Sequence, residues 1–316
     1  MRRAILLAIT SWDPDDWDQR FRALAPDRDI RLWPDRVGDP ADVVYACAWK
    51  PPRGLLAGFP HIEVIFSLGA GVDHLLTDPS LPQVPVVRIV DPDLTRRMSE
   101  YVALHVLMHH RDQRRYDAQQ RDLVWRDHHQ PAAAKVTVGV MGLGVMGRDA
   151  VDVLSRLGFR VVGWSRTAKA IPGVETFSGR AGLGAFLARS EILVCLLPHT
   201  PDTEGILDLA TFRGMKHDGA LGGAYLINAG RGALQVDADI VAALDQGVLA
   251  GATLDVFPVE PLPRESPLWT HPKVTVTPHN AAESDPRALV IRVLDQISRR
   301  ERGLALADVI DRAAGY

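Results

Sequence analysis

The stretch from Val136 to Arg166 limits the possible folds of this chain more than any other. Val136-Thr137-Val138-Gly139-Val140-Met141 is a short β-branched apolar run, and Gly142-Leu143-Gly144-Val145-Met146-Gly147 follows at once. Val145, Ala150, Val151, Val153, Leu154 and Leu157 then recur at helical spacing until Gly158, a C-terminal helix stop. Phe159 to Ser165 reads as the next strand. A G-x-G-x-x-G spacing arises by chance about 0.2 times in a chain of this glycine content, so the flanking elements must decide its meaning. Here they make it a dinucleotide-binding turn. The first glycine allows the tight turn, the second lets a pyrophosphate approach the backbone, and the third lets helix and strand pack closely. The helix N-terminus then faces the phosphates.

The 316 residues suffice for two domains, and 47% of them are hydrophobic, enough for sizeable cores. A formal net charge of -3 argues against a general nucleic-acid or anionic-membrane binder. Cys47 and Cys195 sit inside apolar strand-like runs, so they read as buried reduced thiols, with no disulfide framework and no metal site. Met1-Arg2-Arg3 before Ala4 to Ile9 imitates a signal peptide. Its apolar run is too short, however, and Trp12-Asp13-Pro14-Asp15-Asp16 follows it, so a first strand is the better reading. No run is long enough to span a membrane, and a cytoplasmic location is expected.

Strands are predicted over Arg3 to Ile9, Val43 to Ala48, Val64 to Ser67 and Val86 to Ile89, punctuated by Pro and Gly. A long helix is predicted from Asp93 to Arg115, then a polar segment of mixed charge up to Gln130. From Val136 the alternation resumes, with buried parallel strands over Glu191 to Leu197, Ala224 to Asn228, Gly251 to Val256 and Lys273 to Thr277. A helix over Ser284 to Arg300 ends the pattern. The fold class is α/β, with two doubly wound parallel-sheet domains of Rossmann or flavodoxin type.

Three polar motifs follow strands of the second half, where a doubly wound sheet places its ligand crevice. They are Asn228-Ala229-Gly230-Arg231-Gly232, Asp255-Val256-Phe257-Pro258-Val259-Glu260-Pro261-Leu262 and Thr277-Pro278-His279-Asn280-Ala281-Ala282. One cation, one carboxylate and one imidazole thus share the rim that carries the glycine turn. Hydride reduction of a 2-keto acid needs a proton donor for the forming alkoxide, which His279 can supply. Glu260 can bond the other ring nitrogen and stabilise the imidazolium. Arg231 can polarise the ketone and grip a carboxylate through its fork.

The strand end also bears on the cofactor. An NAD-specific turn places Asp or Glu about 20 residues beyond the glycines. This strand ends in Trp164-Ser165-Arg166, with no acid. Ser165 can donate to a 2′-phosphate oxygen and Arg166 can pair with its charge, so NADPH is expected over NADH.

The order G-x-G-x-x-G, N-x-x-R-G, D-V-F-x-x-E-P-L and T-P-H-x-A-A resembles the D-isomer-specific 2-hydroxyacid dehydrogenase family over almost the whole chain. Trp49-Lys50-Pro51-Pro52, Leu68-Gly69-Ala70-Gly71-Val72-Asp73, Met98-Ser99-Glu100-Tyr101, Trp164-Ser165-Arg166 and Gly315-Tyr316 resemble its glyoxylate/hydroxypyruvate reductase A branch. The resemblance implies a catalytic trio of Arg231, Glu260 and His279. It implies substrate contacts at Trp49 and at the backbone of Gly69, Ala70 and Gly71. It implies cofactor contacts at Gly142, Gly144, Val145, Met146, Gly147, Trp164, Ser165, Arg166, Leu197, Pro198, Ala229 and Gly230, with Asp255 on the nicotinamide side. The implied substrate domain is discontinuous, residues 1–103 and 284–316. Residues 104–283 form the cofactor domain, with a cleft between the two and a dimerisation arm at 105–130, hence a homodimer.

Two departures stand out. Asn280 follows His279 where the branch carries an apolar residue. The Asp218-Gly219-Ala220-Leu221-Gly222-Gly223-Ala224 segment doubles a Gly-Ala pair and lengthens a surface loop, at small closure cost. The expected activity is NADPH-dependent reduction of glyoxylate to glycolate and of hydroxypyruvate to D-glycerate. The alternatives are an NADH-linked dehydrogenase of another D-2-hydroxy acid, or a non-catalytic dinucleotide-sensing protein on the same fold.

Overall fold

The computed structural model describes residues 3–315 apart from Ser11 and Ala70. The readings made for Met1, Arg2, Ala70 and Tyr316 lie outside the described residues. The chain divides into two compact units, Met1–Leu94 with Ser284–Tyr316, and Thr95–Glu283.

The first unit holds a parallel sheet of β1 (Ala4–Ile9), β2 (Ile30–Leu32), β3 (Val43–Trp49), β4 (Val64–Ser67) and β5 (Val86–Arg88), ordered β2-β1-β3-β4-β5. This is the flavodoxin-like order. All six residues of β1 are buried, because both faces of a parallel sheet are covered. Side chains alternate faces with period two. Ile5, Leu7 and Ile9 join one core with Trp17, Phe21, Val290 and Val293, while Ala4, Leu6 and Ala8 join another with Leu56 and Leu75. The helices Pro14–Leu24 and Pro286–Glu301 cover the first face. Each starts with Asp-Pro: Asp13 and Asp285 accept from the backbone N–H two residues on, and proline takes the first helical position.

The second unit holds β6 (Thr137–Met141), β7 (Arg160–Ser165), β8 (Glu175–Ser178), β9 (Ile192–Cys195), β10 (Ala224–Asn228), β11 (Leu249–Leu254) and β12 (Val274–Val276). They form one parallel sheet, ordered β12-β11-β10-β9-β6-β7-β8. The chain winds outward from β6 through β7 and β8, then returns to β9 on the other side. The carboxyl ends of β6 and β9 therefore bracket the topological switch point. Two strands escape sequence reading. β2 has three residues, and β8 is a polar edge strand with no fully buried position.

The first unit ends at Leu94, not at residue 103, because Met98, Tyr101, Val102 and Val106 pack with Val136, Val138 and Val140 of the second unit. The long helix expected to reach Arg115 is broken. Pro92–His110 and Gln113–Arg121 are separate helices, and between them Asp112 adopts a left-handed φ of 54°, a conformation Asp tolerates. The lengthened loop before β10 leaves the strand start at Ala224. Buried Glu191 holds the loop by accepting from the amides of Leu221 and Thr137, at 3.1 and 3.2 Å. Cys47 and Cys195 are buried free thiols, and burial pushes the Cys195 thiol up to about 12.

Three buried histidines line the helix Pro92–His110. His105 lies on the Tyr101 ring, His109 on Tyr225 with Nε2 3.0 Å from Thr253 Oγ1, and His110 edge-on to Phe159. Burial lowers His105 to about 4. Burial, then the neighbouring His105 and Arg114, lowers His109 to about 3, and His110 is lowered by burial and by Arg111. In the unfolded chain each titrates near 6.5. Between the folded and unfolded values the unfolded chain binds more protons. The stability that the neutral histidines contribute is thus present above pH 6.5 and lost as pH falls toward 4. The slope is up to about 1.4 kcal/mol per pH unit for each histidine. Urea unfolding should show a clear loss of stability from pH 7 to pH 5, and His105→Phe should shrink that difference. An unchanged pH dependence in the variant would refute this origin.

Candidate active site

Arg231, Glu260 and His279, the expected catalytic trio, lie wholly in the second unit, on the loops that leave β10, β11 and β12. His279 Nδ1 sits 2.8 Å from Glu260 Oε2. Glu260 is itself oriented, because its Oε1 accepts from the Phe257 amide at 3.0 Å. With Nδ1 bonded to a carboxylate, the imidazole is held in rotation and Nε2 is the ring nitrogen outside that bond. The His279 side chain is 41% exposed.

His279 has a φ of 53°, which a non-glycine residue adopts only when its surroundings enforce it. Asp255 supplies that enforcement. Its backbone carbonyl accepts from the His279 amide at 2.8 Å. Its buried carboxylate accepts from the Asn280 amide and from the Ala281 amide, both at 3.0 Å, and from the Thr277 hydroxyl at 2.6 Å. Since Thr277 donates to Asp255, the Tyr101 hydroxyl at 2.7 Å donates to Thr277. Asp255, expected beside the nicotinamide, is thus placed as the organiser of the His279 loop. Asn280 donates its backbone amide to Asp255 and lines a pocket with Arg97, Glu100, Tyr101 and Leu104.

Arg231 is fixed from its own loop. Buried Asn228 accepts from the Gly230 amide at 3.1 Å and donates to the Arg231 carbonyl at 3.2 Å and to Gln235 Oε1 at 2.8 Å. The Arg231 guanidinium donates through Nη1 to the Gly230 carbonyl at 2.8 Å. Gly232 joins this loop to the next: a Cβ there would stand 1.9 Å from the Phe257 carbonyl carbon, so only glycine lets the loops of Arg231 and Glu260 touch. Sequence reading named the trio but missed Asn228, Gln235, Thr277 and Tyr101 as the groups that hold it.

The glycine turn fits a dinucleotide. Gly142 has a φ of 107°, and a Cβ on it would press on the Leu196 carbonyl at 2.8 Å. A Cβ on Gly147 would meet the Gly142 carbonyl oxygen at 1.8 Å, so the third glycine permits the close approach of helix to turn. Gly144 faces open space and caps the helix Val145–Arg156 with no side-chain acceptor, which leaves the amides of Val145, Met146 and Gly147 to receive an anion. Ala229, Gly230, Leu197 and Pro198 gather at neighbouring strand ends. Leu197 and Ala229 are buried, and a Cβ on Gly230 would stand 2.8 Å from the Leu197 carbonyl.

At the end of β7 the three expected contacts separate. Trp164 is buried in the core, with Nε1 donating to the Gly179 carbonyl at 3.0 Å. Ser165 is buried and donates to the Thr167 carbonyl at 2.8 Å. Arg166 is exposed. Arg180, which sequence reading missed with β8, is also exposed and follows Gly179, whose would-be Cβ lies 3.8 Å from the Arg166 carbonyl.

The expected substrate loop lies in the first unit. A Cβ on Gly69 would fall 2.0 Å from Trp49 Cζ3, so the indole lies directly against the loop. Trp49 stacks on Trp12 with centroids 4.4 Å apart.

Comparisons with known proteins match these features. Residues 103–281 fit the family model "D-isomer specific 2-hydroxyacid dehydrogenase, NAD binding domain". Glyoxylate/hydroxypyruvate reductase A of Yersinia enterocolitica is 38% identical over 311 residues, 96% of this chain and 97% of that protein. Two solved structures align over 100% of both chains with a TM-score of 0.95. One is a probable 2-hydroxyacid dehydrogenase from Rhizobium etli with NADP, HEPES and L(+)-tartaric acid, 48% identical. The other is an NADPH-dependent glyoxylate/hydroxypyruvate reductase from Sinorhizobium meliloti with NADP and sulfate, 47% identical. The chain belongs to the D-isomer specific 2-hydroxyacid dehydrogenase family.

Proposed function

We propose that this protein reduces small 2-keto acids, glyoxylate and hydroxypyruvate, with NADPH. The observation that carries the reading is the His279–Glu260 pair, held at 2.8 Å on a loop that Asp255 locks. A nicotinamide cofactor, when bound at the glycine turn, supplies the hydride. His279 Nε2 delivers the proton to the forming alkoxide, and Glu260 stabilises the imidazolium that precedes this transfer. Arg231, anchored on the Gly230 carbonyl, polarises the ketone and pairs with the carboxylate. The first unit, which ends at Leu94 and resumes at Ser284, serves as the substrate domain, where Gly69, Ala70 and Gly71 meet the carboxylate and Trp49 walls the pocket. NADPH oxidation on adding glyoxylate tests the reaction. In His279→Gln, turnover should fall at least about 100-fold, the scale of a lost general acid, while NADPH binding by fluorescence persists. Near-normal turnover would exclude His279 as the acid.

The 2′-phosphate preference rests on Arg166, with Arg180 beside it. An Arg–phosphate pair worth about 1.5–3 kcal/mol gives roughly 10- to 150-fold preference for NADPH in kcat/KM. Arg166→Asp should reverse the order, because it removes attraction and adds repulsion. Equal use of NADH by the unaltered protein would overturn this assignment.

The arm at 105–130 supports a homodimer. Leu123 and Trp125 are 93% and 103% exposed, an apolar surface that gains from burial against a second copy. Light scattering at micromolar concentration should give the mass of two chains. The mass of one chain would refute it.

A further inference from the structure

Ser67 ends β4 and is wholly buried. Its hydroxyl lies 3.1 Å from the Gly69 carbonyl and 2.9 Å from the Gly71 carbonyl, so one proton is shared between two acceptors of the same turn. Both carbonyls are drawn back onto the end of the strand. In a trans peptide unit, N–H and C=O point in opposite directions. The unit that turns the Gly71 carbonyl onto Ser67 therefore turns the Val72 amide away from it.

The loop is also held from the side. The Trp49 indole leaves no room for a Cβ on Gly69, and it is itself clamped between the parallel ring of Trp12 at 4.4 Å and the edge of His74 at 4.8 Å. A turn that commits its carbonyls inward offers donors outward, and successive outward amides make an anion-binding concavity. Without the hydroxyl, a carbonyl of this turn is free to rotate outward. It would then set a partial negative charge against a carboxylate.

We propose that Ser67 is a positioning residue for substrate binding. Its shared hydrogen bond to Gly69 and Gly71 holds this turn so that the Val72 amide is directed toward the carboxylate of the 2-keto acid. This rests on the reading that the Gly69–Gly71 loop meets the substrate. Because the carboxylate is held equally before and during hydride transfer, the loss should fall on KM and spare kcat.

The test compares Ser67→Ala with Ser67→Thr in the full-length protein. In Ser67→Ala the KM for glyoxylate should rise about tenfold, the scale of one lost buried hydrogen bond. Its kcat and its KM for NADPH should stay within about threefold of the unaltered protein, since the chemistry and the cofactor turn are untouched. Ser67→Thr keeps the hydroxyl and should recover most of the loss. Oxalate binding to the NADPH-loaded protein, read by nicotinamide fluorescence, should weaken in parallel without any turnover. An unchanged KM and unchanged oxalate affinity in folded Ser67→Ala would overturn the proposal, as would a fall in kcat alone. Should Ser67→Ala fail to fold, Ser67→Cys, a weaker donor of similar shape, is read by the same ratios. Failure of the unaltered protein to oxidise NADPH with glyoxylate would instead refute the reaction, and the oxalate measurement separates the two failures.

Discussion

The carboxylate of Asp255 is the interaction on which the candidate site depends. It is a buried charge, costly to hold out of water unless hydrogen bonds compensate it. Thr277, Asn280 and Ala281 supply three, and Tyr101 extends the chain through Thr277. All three donors belong to the loop after β12, while Asp255 follows β11. The charge can be satisfied only if that loop folds back over the neighbouring strand end. His279 is caught between two of these donors, and its left-handed backbone is the consequence. The proposed acid is thus aimed by an anion that it does not itself touch through its side chain.

Close backbone approach does the same for the other loops. Gly232 brings the Arg231 loop onto Phe257, and the Phe257 amide in turn orients Glu260. Gly230 brings that loop onto Leu197, and Gly147 brings the helix Val145–Arg156 onto the glycine turn. Any Cβ at these three positions would meet backbone, which cannot swing aside as a flexible side chain can. The motifs N-x-x-R-G, D-V-F-x-x-E and G-x-G-x-x-G are therefore one packing problem as well as three chemical ones. Spacing within each motif is legible because loops from adjacent parallel strands must touch.

That explains what the sequence made readable. β1 and β10 stand out as apolar runs because both faces of their sheets are covered. β2 and β8 lie at the sheet edges, where three residues or a polar Glu-Thr-Phe-Ser carry no periodicity. The trio was legible because each member follows a recognisable strand. Trp164 illustrates the limit of such reading. It belongs to the same strand-end motif as Arg166, yet it lies within β7 on the core face it shares with Val162, while Arg166 stands beyond the strand end and is exposed. Tyr101 and Thr277 each stand in a motif, but 176 residues separate them, and neither motif signals that their hydroxyls meet. The break at Asp112 was equally hidden, since a polar helix face and a left-handed turn use the same residues.

Both units solve one problem in complementary ways. A loop at the carboxyl end of a strand must hold a fixed shape without a core of its own. Ser67, Asn228 and Asp255 are short side chains placed at or just after the last residue of a strand. They lose little rotamer freedom when buried, and they bond readily to nearby backbone. The choice of donor or acceptor then determines what the loop offers outward. The hydroxyl of Ser67 takes carbonyls and leaves amides, which suits an anion. The carboxylate of Asp255 takes amides instead, so the loop it holds has few left to give, and what that loop presents is a side chain, the proposed acid His279. Asn228 does both, taking the Gly230 amide and the Arg231 carbonyl, and leaves the guanidinium as the feature its loop presents. The polarity of each buried anchor thus accounts for why, in the proposed reaction, one loop would work through its backbone and the other two through side chains.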